Sequence, residues 1–141
     1  MMFLVVPILA LVLFGLLSYL YLLAPESNRE SLLINETFVV GKNQLVFYKI
    51  ELAVGEKVSG NLKETQKLCV DFYILNESNF AKINAKSEDI SPFLAAKKVS
   101  SYDFTFTAPS KGVYYFVFDN GYTREDPICY DKHVTFRLCR A

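Results

Sequence analysis

Between residues 102 and 107 the chain alternates strictly, with Tyr102, Phe104 and Phe106 on one side and Asp103, Thr105 and Thr107 on the other. A period of two puts those aromatics on one face of a strand. Residues 108–112 break the pattern, because Pro109 donates nothing to a ladder and Gly112 lets the backbone reverse. The run 113–118 that follows is apolar on both sides, Val113, Tyr115 and Val117 against Tyr114, Phe116 and Phe118. It stops at the turn signal Asp119-Asn120-Gly121. A strand apolar on both faces belongs in mid-sheet with a layer above and below it. Together the two runs read as an aromatic hairpin around which the other segments pack.

The same rhythm recurs elsewhere. Residues 36–40 precede the turn Gly41-Lys42-Asn43, and 44–52 ends in an alternation where Tyr48, Ile50 and Leu52 oppose Lys49 and Glu51. After a turn at Val54-Gly55-Glu56 comes a short strand, 57–62, interrupted by Gly60, which signals a bulge or a close backbone approach. In 68–75, Val70, Phe72 and Ile74 point inward while Cys69, Asp71 and Tyr73 point outward. In 133–139, Val134, Phe136 and Leu138 point inward, with His133, Thr135, Arg137 and Cys139 outward. From 76 to 101 the alternation lapses. Ser78 is placed to cap a single helical turn with Phe80 and Ile83 on one face, and Ser91-Pro92-Phe93 ends it. Connections of that length are often functional. Seven or eight short strands, with no sustained helical pattern after residue 24, predict an all-β, antiparallel, jelly-roll-like β-sandwich.

Residues 1–24 carry no ionisable side chain and are rich in Leu, Val, Phe and Ile. At 1.5 Å per residue such a helix crosses a hydrocarbon core of about 30 Å. With no basic residue before the apolar run and Pro25 just after Ala24, an uncleaved signal-anchor is expected rather than a cleaved leader. Residues 25–35 then read as a linker and 36–141 as the sandwich domain. Only Arg29 lies near the anchor, with Glu26 and Glu30 around it, so flanking charge says little about orientation and, taken literally, weakly favours the cytosol for the C-terminal side. The sequons at Asn35 and Asn76, together with the cysteines, favour placing the domain outside the cytosol, with Asn35 and Asn76 as candidate glycosylation sites. Lys plus Arg and Asp plus Glu balance at 15 each, which argues against nucleic acid as a partner.

The ordered set Gly55-x-x-Val58-Ser59-Gly60, Val70-Asp71-Phe72-Tyr73-Ile74, Phe104-Thr105-Phe106-Thr107-Ala108-Pro109, the run from Gly112 to Asn120, and Val134-Thr135-Phe136 resembles the Golgi-dynamics (GOLD) domain. That domain is the lumenal β-sandwich of cargo receptors of the early secretory pathway. The resemblance spans residues 37–138 and implies a β-sandwich with a binding role. Those receptors carry their membrane helix at the other end, after a coiled coil, and have a cysteine where Val117 stands here. Coat-dependent cargo transport is therefore not implied. A similar sandwich occurs in accessory domains of secreted peptidases and in carbohydrate-binding modules.

Three cysteines are too few for a disulfide-built scaffold. If the strands holding Cys69 and Cys139 are antiparallel neighbours with those residues opposed, Asp71 faces Arg137 and one register supplies both a disulfide and an ion pair. Cys129 is the rival partner for Cys69, and three reduced thiols are the alternative. Cys129 with Cys139 is disfavoured, since ten extended residues span about 33 Å while a disulfide needs Cα atoms within about 7 Å. His133, the single histidine, has no nucleophile and orienting acid placed beside it in the pattern, so no catalytic residue is expected. Asp119, Asn120, Glu125 and Asp126 read as a solvated acidic turn rather than a calcium loop. No cofactor or metal is expected. Tyr73, Tyr114 and Tyr122 are a candidate recognition patch, set against the plainer reading that Tyr73 and Tyr114 cover a second core layer. The sequence thus points to a non-enzymatic, membrane-anchored module that binds a protein. A carbohydrate- or surface-polymer-binding module and a structural subunit of a membrane complex are the alternatives.

Overall fold

The computed structural model describes residues 31–121 and 130–141. Among these, eight strands and one helix follow in the order β1 (Ser31–Val40), β2 (Leu45–Leu52), β3 (Lys57–Glu64), β4 (Val70–Leu75), α1 (Glu77–Asn84), β5 (Leu94–Val99), β6 (Ser101–Thr107), β7 (Gly112–Asp119) and β8 (Lys132–Arg140). They form two antiparallel four-stranded sheets, sheet A in the order β1-β8-β3-β6 and sheet B in the order β2-β7-β4-β5. Strand pairs 1·8, 2·7, 3·6 and 4·5 are those of one long ribbon folded at the β4–β5 connection and rolled up. That is a jelly roll. The expected all-β sandwich is present.

Alternation explains the core. Val58 and Leu62 of β3, Val70, Phe72 and Ile74 of β4, Phe104 and Phe106 of β6, Tyr114, Phe116 and Phe118 of β7, and Val134, Phe136 and Leu138 of β8 fill the space between the sheets. Phe136 lies at the centre, its ring 4.9 Å from Phe118 and 6.1 Å from Phe72. As its doubly apolar pattern predicted, β7 runs mid-sheet between β2 and β4. Its other face, with Tyr115 and Val117, meets a second, smaller core under α1 that includes Tyr73, Leu75 and Ile83.

Several expectations are corrected. The aromatic hairpin is not one: β6 belongs to sheet A and β7 to sheet B, so the turn between them crosses the sandwich. The physical reason is that their aromatic faces bury each other across the interior, with Phe106 and Tyr114 rings 5.2 Å apart. Within one hairpin they would lie side by side on a single face. The register proposed for Cys69 and Cys139 also fails, because β4 and β8 lie in different sheets. Cys139 stands opposite Ser59 on β3 and Leu32 on β1, Arg137 opposite Asn61 and Asn35, and Asp71 opposite Asp119. Both Cys69, exposed, and Cys139, buried, are free thiols. Residues 31–35 are not linker but the first half of β1, since Ser31 already pairs with Arg140 and Ile34 is buried. Finally, β5 arises where the alternation lapses: its Leu-Ala-Ala-Lys-Lys-Val run is held by pairing with β4, with a register shift and Lys98 at φ +54°. Gly60 carries no bulge, since its pairing runs unbroken, and the close approach there is made by a side chain: the Phe104 ring, opposite it on β6, lies where its Cβ would be.

Two buried polar side chains close one end of the sandwich. The Glu64 carboxylate, only 2% exposed, accepts the backbone N–H groups of Gln66 at 2.9 Å, Leu68 at 2.6 Å and His133 at 3.1 Å. It shapes the β3–β4 loop and ties that loop to β8. The Asn120 amide donates to the carbonyls of Val40, Gly41 and Tyr130 at 3.0, 3.2 and 2.8 Å, joining the β1–β2 turn to the segment before β8. Among the described residues no helix is long and apolar enough to cross a membrane. The expected anchor, residues 1–24, lies outside the described residues.

Candidate functional site

The two outer faces of the sandwich differ. That of sheet A is largely polar, carrying Asn35, Thr37, Thr135, Arg137, Asn61 and Asp103, with the Thr37 and Thr135 hydroxyls 2.9 Å apart and the Asn61 amide donating to Asp103. That of sheet B is partly covered by α1, and the cover leaves a groove.

The helix is positioned by its ends. Asn76, two residues before the expected cap Ser78, accepts the Asn79 N–H at 2.9 Å, satisfying a free donor of the first turn. Glu77 in the first turn and Lys82 in the last complement the helix dipole. At the far end Lys86, at φ +58°, ends the helix in a Schellman arrangement: Ser87 N–H bonds Lys82 C=O at 3.0 Å and Lys86 N–H bonds Ile83 C=O at 2.9 Å. The sequence reading allowed one turn; the helix has eight residues. Its Phe80 and Ile83, three apart, share the face laid on sheet B, as predicted. Buried Asn79 accepts the Ser91 N–H at 2.8 Å and so fastens the returning segment to the helix.

Between that segment and the ends of β2, β4, β5 and β7 lies a groove of about 770 Å³. Leu45, Tyr73, Ile83 and Ile90 give it an apolar lining, Asn43, Gln44 and Asn84 supply amides, and Lys86, Lys97 and Glu88 supply charge. Asp71 and Asp119, cross-strand neighbours on β4 and β7, both line it. Asp71 accepts the Lys98 N–H at 2.7 Å and the Tyr73 hydroxyl at 3.2 Å. Burial, and secondarily the facing Asp71 charge, push the Asp119 carboxyl above the usual range, partly offset by a hydrogen bond from the Gly121 backbone. The Tyr73 hydroxyl is likewise pushed up, by burial first and then by Asp71. At Leu45 the groove joins an aromatic shelf: Phe80 stacks on Tyr115 at 4.2 Å, Phe47 tilts against Phe80 at 4.6 Å, and Lys49 lies 5.8 Å over the Tyr115 ring. Phe47 remains 47% exposed.

The residues singled out from sequence do not gather there. Tyr73 and Tyr114 are both buried, on opposite faces of sheet B, so they form no exposed patch. Tyr73 belongs to the second core, the plainer reading. Tyr114 is locked in the main core with its hydroxyl donating to the Ser110 carbonyl at 2.8 Å. Tyr122 and Cys129 lie outside the described residues, as do Glu125 and Asp126. Asn35 is exposed on the edge strand β1, while the Asn76 carbonyl oxygen is engaged in capping. Asn120 is committed to backbone carbonyls. No group of three or more His, Cys, Asp or Glu side chains among the described residues is placed to hold a metal. The Asp71–Asp119 pair went unnoticed in the sequence, although both alternate onto outer faces; only the β4–β7 pairing brings them together.

No family model and no curated protein matches this chain. Solved structures do. The chain is similar to PliG of Aeromonas hydrophila, a periplasmic lysozyme inhibitor of g-type lysozyme, with a TM-score of 0.57 at 7% identity over 82% of this chain and 90% of that one. It is also similar to the pre-peptidase C-terminal domain of a Bacillus anthracis collagenase, with a TM-score of 0.50 at 13% identity over 74% of this chain and 89% of that one. At such identities the likeness concerns the fold.

Proposed function

We propose that this chain is a membrane-anchored, non-enzymatic module that displays its β-sandwich outside the cytosol and binds a protein partner through the outer face of sheet B. The groove beside α1 carries the proposal: a concave site that mixes amides and charges of both signs with a few apolar side chains, and that adjoins an aromatic shelf, offers the polar and aromatic contacts a specific protein interface uses. PliG, of similar fold, is an inhibitor of a lysozyme, so a sandwich of this kind serves a protein-directed role in at least that case. The GOLD resemblance belongs to the same proposal, as an account of the ordered strand sequence. Anchoring rests on the apolar residues 1–24.

The strand directions add a geometric point. Ser31, the β2–β3 turn and the β6–β7 turn lie at one end of the sandwich, whereas the groove, with Asn43, Asp119 and Gly121, lies toward the other. An anchor preceding Ser31 leaves the groove facing away from the membrane, open to a partner. The test is crosslinking of the full chain in native membranes with mass-spectrometric readout, comparing the unmodified chain with an Ile90→Lys, Lys97→Glu variant. A small partner set that disappears with the variant supports the proposal; a set that is unchanged refutes the groove as the contact.

A polymer-binding reading is favoured by one observation, the Phe47 ring standing exposed on the outer face of sheet B beside Phe80 and Tyr115. The stacking of Phe80 on Tyr115 occupies a face of each ring and leaves this platform narrow. Retention of the chain on glycan or surface-polymer columns, lost on Phe47→Ala, would select this reading.

A further inference from the structure

The end of the sandwich from which the chain leads back to residues 1–30 has its own surface chemistry. Two turns meet there, residues 53–56 between β2 and β3 and 108–111 between β6 and β7. They are laced by the Gly55 N–H to Ala108 C=O bond at 2.8 Å and the Ala108 N–H to Glu56 C=O bond at 2.9 Å. At their tips Val54 is 70% exposed and Pro109 is exposed beside it. Lys57 and Lys111, both exposed, flank the pair. Leu32, 54% exposed, lies one residue past Ser31 at the same end. Of the acidic groups, Glu56 is engaged by Arg140 and by the Ala53 N–H at 2.8 Å, while Glu26 and Glu30 stand with Arg29 in the six residues that lead to Ser31. Glu51, opposite Val113, lies on the outer face of sheet B rather than at the tip.

Pro109 ends β6 and shapes its turn, but its ring and the Val54 side chain both stand in water at the tip of two mutually braced turns, where neither adds to the core. What lies next to them is set by chain length. Residues 25–30 separate the apolar run 1–24 from Ser31, and six residues reach at most about 20 Å even when fully extended. An anchored chain therefore holds this end close to the headgroups, where apolar tips and lysine side chains both find favourable surroundings.

We infer that this end rests on the bilayer that holds the anchor, with Val54 and Pro109 in the headgroup zone and Lys57 and Lys111 against lipid phosphates. The inference rests on the anchoring part of the proposed function and adds a second, lipid-facing contact that fixes the groove pointing outward. The partner chemistry is an anionic lipid surface.

The chain has no tryptophan, so Val54→Trp supplies a unique fluorophore at the tip. The full-length variant is reconstituted into phosphatidylcholine–phosphatidylglycerol vesicles, with and without bromine on the acyl chains, and floated on a density gradient. Placement at the headgroup–acyl boundary predicts that floated material loses at least about half its emission in brominated vesicles. An Asn43→Trp control at the opposite end keeps its emission. In the unmodified chain, acetylation of Lys57 and Lys111 should slow severalfold in vesicles relative to Lys86. Material that floats without quenching, or whose indole is shielded from aqueous quenchers but not reached by bromine, as when a second copy covers the tip, overturns the inference while leaving the anchor intact. Failure to float overturns the anchor and the inference together.

Discussion

Glu64 is a polar side chain on which the fold depends heavily. Its carboxylate is buried and accepts three backbone N–H groups, from Gln66, Leu68 and His133, at 2.6 to 3.1 Å. Glu64→Ala leaves those donors without their acceptor in a water-poor setting, at a cost of about 1–3 kcal/mol for each buried group that water does not reach. Part of the β3–β4 loop opens to solvent, so we set the net loss at about 3–5 kcal/mol, a large share of the ~5–15 kcal/mol that holds a typical domain together. Glu64→Gln keeps one acceptor oxygen but aims an NH₂ at a donor, and should fall between the two. Urea denaturation of the chain in mild detergent, followed by tyrosine near-ultraviolet circular dichroism, reads the loss as a lower midpoint at unchanged slope. A loss under about 1 kcal/mol for Glu64→Ala would refute the reasoning, since it would mean that the three N–H groups find water as readily as they find the carboxylate.

Three further outcomes follow from the same structure. Asp119→Asn should stabilise the domain at neutral pH by about 0.2–1 kcal/mol, because it removes a like charge facing Asp71 across the β4–β7 ladder. The sign follows from its raised carboxyl: the folded state holds that proton more tightly than the unfolded chain does. Stability therefore falls as pH rises from the unfolded carboxylate range through the folded value, and the Asn variant should flatten that segment of a pH–midpoint series. Gly60→Ala should lower the stability by about 1–3 kcal/mol, because a methyl there lies only 2.6 Å from Cε1 of Phe104 and pushes the ring from its place; combining it with Phe104→Leu should recover part of that loss in the same denaturation series. Asn76→Ala should cost about 1 kcal/mol through loss of the α1 cap, and hydrogen exchange should speed up at Asn79 and Phe80 while the β7 amides stay protected.

Much of the sandwich was legible because period-two alternation is a local signal: the inward sets of β4, β6 and β8 were read directly, and the doubly apolar β7 announced its place mid-sheet. What was not legible is non-local. Alternation says which residues face the core but not which sheet a strand joins, so by pattern alone β6 and β7 read as a hairpin and Cys69 as a neighbour of Cys139. The segment before Ser101 hid β5 because an Ala- and Lys-rich edge strand owes its conformation to pairing with β4 rather than to its own preference. The groove was indistinct for the same reason. Asp71 and Asp119 are 48 residues apart in the numbering and meet only through the β4–β7 register. The connection between β4 and β5, singled out by its length, forms one wall of the groove through Ile83, Lys86 and Ile90.

The central claim, that the outer face of sheet B is the protein-binding surface, is tested most directly with a photo-crosslinking amino acid placed at Ser87, on the groove wall, and separately at Thr105, exposed on the far face of the sandwich. The account predicts a small, reproducible set of protein adducts in native membranes from position 87 and background alone from position 105. The same adducts from both positions, or from position 105 only, would contradict it.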